Sequence, residues 1–130
     1  MDRSFENLRV WQDSRKFVND IYDMMENCRD FGFRDQIQRA AVSIMNNIAE
    51  GCESGSDAKY IYFLNISKGS CGEVRSIFTY VKIESSVLRN KDLYFITTLW
   101  VFQVEFIVLS SSFSNLVDNR PLTIDIILNR

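Results

Sequence analysis

The sequence predicts an all-α fold, an antiparallel up-down-up-down four-helix bundle. Three observations point there. Apolar residues recur three and four apart along four stretches, about 8–26, 35–51, 57–86 and 91–117. One Pro and five Gly are too few for a turn-rich β-sandwich or barrel. The connections are a few residues long, and short connections force neighbouring helices to run antiparallel. With 130 residues, 46% of them hydrophobic, the chain is a single domain with enough apolar surface for a real core and too much for disorder.

Residues 2–8 form an arm, with Phe5 and Leu8 as hooks onto the body. In the first helix Val10, Ser14, Phe17 or Val18, Ile21 and Met24 or Met25 keep the helical repeat, and charged residues occupy the other side. Trp11 is either core or subunit interface, being too large to bury without a partner for its indole N–H. Gly32 punctuates the break at 27–33, and Phe31 and Phe33 are expected to tuck back into the bundle. Asp35 is the expected cap of the second helix, whose stripe is Ile37, Ala40, Ala41, Ile44 and Ile48. Gly51 offers a left-handed stop.

Ser56 or Asp57 can cap the third helix, which carries Ile61, Leu64, Cys71, Val74 and Phe78 on a repeat near 3.5. Gly69 and Gly72 inside it each cost about 1 kcal/mol relative to Ala. The expectation is that they permit close helix contact. The fourth helix is apolar nearly all round, with Trp100, Phe102, Phe106 and Ile107 on several sides. A bundle helix keeps one wet face, so these four residues are the expected oligomer interface. The apolar tail 118–130 is an alternative cover: a short strand, a docked arm or a swapped element.

The net charge of −2 and the pI of about 5.1 give no global field to gather nucleic acid or anionic lipid. Residues 34–91 are nevertheless slightly basic, eight Lys and Arg against six Asp and Glu, and both flanks are acidic. Arg34, Lys59, Lys68, Arg75 and Lys82 are the candidate nucleic-acid contacts, with Tyr60, Tyr62 and Tyr80 as candidate stacking rings. The start MDRSFENL lacks the apolar run of a signal peptide, and Leu93–Leu109 is interrupted by Thr97, Thr98, Gln103 and Glu105. A cytoplasmic protein with no membrane association is expected. Cys28, Cys52 and Cys71 are an odd number without metal spacing and read as free thiols.

With no His, the chain holds no Ser–His or Cys–His nucleophile pair, and it has no phosphate-binding glycine loop. Glu50 and Glu73 are the best remaining acids for a metal. Antiparallel helices would hold them roughly 20 Å or more apart, so no metal, no cofactor and no enzymatic activity are expected. The distinctive feature is a polar row beside the apolar stripe of the second helix: Gln36, Arg39, Ser43, Asn47 and Glu50, with Ser70 and Glu73 facing from the third. A buried row must be hydrogen-bonded, and it can fix helix register; an Arg39–Glu73 pair is one way to do so. Contact with a ligand or nucleic acid is the alternative.

Three blocks carry a family resemblance: Phe5, Leu8, Val10, Trp11 and Gln12; Gln36, Arg39, Ala40, Ala41, Ser43, Ile44 and the run Asn47–Gly51; and Phe63, Leu64, Ile66, Lys68, Gly69, Ser70 and Glu73. They resemble the four-helix bundle proteins encoded by intervening sequences of bacterial 23S rRNA genes, also labelled S23 ribosomal proteins. The resemblance implies an antiparallel bundle assembled as a homopentameric ring, without an assigned catalytic duty. A basic branch, the accessory protein of diversity-generating retroelements, binds nucleic acid and a reverse transcriptase. Met45 stands where the family often has Pro, and no Arg follows Gly51 within 52–56. The leading expectation is a non-enzymatic scaffold or adaptor, with an RNA- or DNA-binding accessory protein as the alternative and a carboxylate metal enzyme as a remote third.

Overall fold

The computed structural model describes residues 4–84, with side chains through residue 78. Every element in it is helical: a short 3-10 turn at Phe5–Asn7, then α1 (Arg9–Met25), α2 (Phe31–Glu53) and α3 (Asp57–Glu84). The expected helix at 91–117, the tail and the four interface residues Trp100, Phe102, Phe106 and Ile107 lie outside the described residues.

The N-terminal arm is held as its sequence suggests. Leu8 is buried, Phe5 packs against the core, and Gln12 Nε2 donates to the Glu6 carbonyl at 2.8 Å. Trp11 is half-buried at the core edge, with the Phe5 ring edge-on at 5.0 Å and the Arg15 guanidinium 5.9 Å from its ring centre. Along α1, Val10, Phe17, Val18, Ile21 and Met25 are buried. Buried Ser14 returns its hydroxyl proton to the Trp11 carbonyl, so it leaves no unpaired donor.

α2 is the central helix and packs against both α1 and α3. Ile37, Ile44 and Ile48 are fully buried on it, each contributing about 1.5–3 kcal/mol. Its start differs from expectation. Asp30, not Asp35, is the N-cap, accepting from the Phe33 N–H at 3.1 Å. The helix therefore begins five residues early, and Gly32 lies in its first turn, where backbone N–H groups have no helical partner to lose. Asp35 is left one turn inside, paired with Arg39. Phe31 stays 64% exposed at the first helical position, while Phe33 is partly buried.

The end of α2 also differs. Gly51 is an ordinary helical residue, buried inside α2. The stop comes at Ser54, whose hydroxyl and N–H both donate to the Gly51 carbonyl, at 2.6 and 3.2 Å. The left-handed glycine is Gly55, at φ 73°. Ser56 caps α3, accepting from the Lys59 N–H at 3.3 Å. The turn is thus only residues 54–56, and α2 and α3 run antiparallel.

Gly51 is needed because α3 crosses directly over it. A Cβ placed there would stand 2.7 Å from Tyr60 Cδ2 and 3.0 Å from Phe63 Cβ. Gly69, expected to be a contact glycine, has nothing within 4 Å of a Cβ. Substitutions at these two positions should therefore have opposite signs. Gly51→Ala should lose about 1–3 kcal/mol from overpacking, and Gly69→Ala should gain up to about 1 kcal/mol from helix propensity. Denaturant unfolding of the two variants checks this, and equal shifts would refute the close approach at Gly51.

Candidate functional site

The polar row meets α3 at one place. The Ser43 and Ser70 hydroxyls share a 2.8 Å hydrogen bond, and Asn47 Nδ2 donates to the Ser43 carbonyl at 2.7 Å and to Ser43 Oγ at 3.1 Å. Ser70 Oγ also lies 3.2 Å from the Ile66 carbonyl and can donate to it. One turn along, Ser67, fully buried, donates to the Ile44 carbonyl at 2.8 Å. These four side chains form a seam that ties α2 to α3. Ser67 was not among the candidate site residues. The available signal was its place in the apolar repeat of the third helix, where a polar residue needs a partner.

The rest of the row faces outward. Gln36, Arg39 and Glu50 are exposed, as is Glu73 on α3. Arg39 Nη2 pairs with Asp35 at 3.0 Å, one turn back on its own helix, where the sequence suggested Glu73. A partner four residues away on the same helix is held within reach by the backbone itself. Both groups are mostly exposed, so the pair is worth at most about 1 kcal/mol. Beside it a shallow groove of about 440 Å³ runs along α2, walled by Tyr22, Asp35, Gln38, Arg39, Asn46 and Asn47. Its lining is mixed, with amides, hydroxyls and one internally neutralised ion pair beside Val42 and the Tyr22 ring.

The candidate cations do not converge. Arg34, at the start of α2, lies over the Phe31 ring at 4.7 Å. Lys59 is exposed on the first turn of α3, while Lys68 and Arg75 are half-buried. Lys59 and Arg75 are sixteen residues apart on one helix, about 24 Å by helical rise. The side chain of Lys82 lies outside the described residues. Tyr60 is 2% exposed and belongs to the core, so it cannot stack on a base; Tyr62 is 62% exposed. Tyr80 lies outside the described side chains.

The described acids stand too far apart for a metal centre. The Ser43–Ser70 register sets Glu73 beside the Arg39 level of α2, about 16 Å along the axis from Glu50. Among the described residues no group of three or more His, Cys, Asp or Glu is placed to hold a metal ion. No helix among them is long and apolar enough to cross a membrane.

The end of the arm, the seam and the turn after Glu53 fall within one recognised sequence pattern. The family described as 23S rRNA-intervening sequence protein matches residues 6–94, well over half of the chain. The chain belongs to this family. No curated protein and no solved structure gives a significant match. In this intervening-sequence protein, the family match covers α1, α2 and α3 in full.

Two outcomes are expected for the seam and its surroundings. In a double-mutant cycle, Ser43→Ala and Ser70→Ala should couple by about 0.5–1.5 kcal/mol in unfolding free energy; additive losses would show that the two hydroxyls do not share a bond. The second concerns Cys71, buried beside Ser70. Loss of hydration on burial pushes its thiol from 9.0 up to about 12. Burial likewise raises Tyr60. Between about pH 9 and 12 the unfolded chain releases protons that the folded chain retains, so stability falls as pH rises through that window. Alkaline unfolding curves should show this, and Cys71→Ser should flatten the slope. An unchanged slope in that variant would place the titration elsewhere.

Proposed function

We propose that this chain is a non-enzymatic, self-associating scaffold or adaptor of the cytoplasm. The observation that carries the reading is how its polar row is spent. Ser43, Asn47, Ser67 and Ser70 use their hydrogen bonds on one another and on helix carbonyls. They present no nucleophile, base or ligand set to a substrate. This supports a structural duty for the inner members of the motif, Ser43, Asn47, Gly51 and Ser70, which lock α2 to α3, while Gln36, Arg39, Glu50 and Glu73 lie on its exposed side. Self-association is supported by the apolar stretch 93–109, whose sequence leaves no continuous polar face. Five copies is the number the family resemblance implies.

A second reading, a nucleic-acid-binding accessory protein, is favoured by one observation. Lys68, Arg75 and Lys82 fall seven apart on α3, a spacing that sets them on one stripe. The acidic Glu73 beside that stripe and the distance to Lys59 weaken it.

Light-scattering mass on nucleic-acid-depleted protein tests both, with nucleic-acid absorbance followed through a salt titration. A mass near five chains without bound nucleic acid is the expected outcome, and Trp100→Asp or Ile107→Asp should lower that mass or the solubility. A monomer at all concentrations overturns the scaffold reading. Nucleic acid that stays with the protein until high salt, and is lost when Lys59 and Lys68 are reversed to Glu, replaces it with the second.

A further inference from the structure

We propose that the outer face of α3 pairs with the same face of a second copy, antiparallel, across a two-fold axis at Ile66. Lys59, Tyr62, Ile66, Gly69 and Glu73 follow one another at steps of three, four, three and four, and all five are exposed. That spacing is the seam of two helices that pack along their length. Tyr62 and Ile66 are 62% and 37% exposed, two large apolar side chains one turn apart. Gly69 continues the same line with open space where a Cβ would be.

The charges select both the partner and the direction. Lys59 lies seven residues before Ile66 and Glu73 seven residues after it. In an antiparallel pair centred on Ile66, Lys59 of each copy therefore meets Glu73 of the other, twice. Tyr62 comes opposite residue 70, one position from the gap at Gly69, and Ile66 meets its own equivalent. A parallel pair would set Lys against Lys and Glu against Glu. A face with opposite charges at equal distances from its centre is complementary to itself, which is the requirement of an isologous contact. The seam covers about 21 Å of helix and its ends are wet, so the contact is weak and salt-sensitive. It does not itself close a ring; it joins two single chains, or two assemblies, back to back.

This inference rests on the self-association reading above, and charge reversal separates the two. Sedimentation equilibrium on the full chain at low salt would compare wild type, Lys59→Glu, Glu73→Lys, an equimolar mixture of those two, and the double variant K59E/E73K. Each single variant should pair about 10-fold more weakly, because two attractive contacts become two repulsive ones. The mixture and the double variant should both recover to within about 3-fold of wild type, since each restores two opposite-charge contacts. Circular dichroism melting should be unchanged for all of them, the positions being exposed. If wild type assembles and the single variants match it, the seam is refuted while self-association stands. Failure of the mixture to recover also refutes the seam. If wild type is a monomer throughout, the self-association reading falls and the seam falls with it.

Discussion

The close approach of α2 and α3 at Gly51 is the constraint on which the described structure depends. Tyr60 and Phe63 occupy the space that any side chain at residue 51 would need. Because the two backbones come together there, Ile44, Ile48, Leu64, Val74 and Phe78 reach one continuous core. The three-residue turn 54–56 then has to begin at once, and Ser54 and Gly55 provide it. Remove the close approach and the seam one and two turns away loses its register as well.

That seam supplies what apolar packing alone does not. Hydrophobic contact is largely non-directional, and helices with Ile and Val stripes tolerate sliding by a turn. The Ser43–Ser70 and Ser67–Ile44 hydrogen bonds do not. A slip of one turn would bury those hydroxyls against apolar neighbours, at about 1–3 kcal/mol for each unsatisfied group. The polar row of α2 thus divides by depth. Its inner members set register, and its outer members, Gln36, Arg39 and Glu50, lie exposed.

Much of this was legible in the sequence, and what was missed has identifiable causes. Helical period, composition and the buried faces of α1 and α2 follow from spacing alone, because burial is periodic. Cap positions do not: Asp30 and Asp35 are both good capping residues, and only the backbone decides which has an N–H in reach. Gly51, Gly55 and Gly69 look alike in sequence, yet one is a contact, one a left-handed turn residue and one faces open space. Arg39 chose the acid on its own helix because no long side chain had to be ordered across a gap. For the candidate site, Ser43, Asn47 and Ser70 were identifiable as a row, but Ser67 was hidden among apolar residues by its own periodicity.

The brevity of the turn at 54–56 bears on the order of events as the chain is made. Contacts between α2 and α3 span one short hairpin, such as Ser67 to Ile44 and Ser43 to Ser70, and local contacts form fast. Synthesis proceeds from the N-terminus at about 5–20 residues per second, so this hairpin has its full complement of residues before the stretch 93–109 leaves the ribosome. The most apolar stretch of the sequence therefore emerges after the residues of a hairpin built from fast-forming contacts. The α2–α3 hairpin is thus complete, as chain, before the apolar stretch 93–109 that follows it.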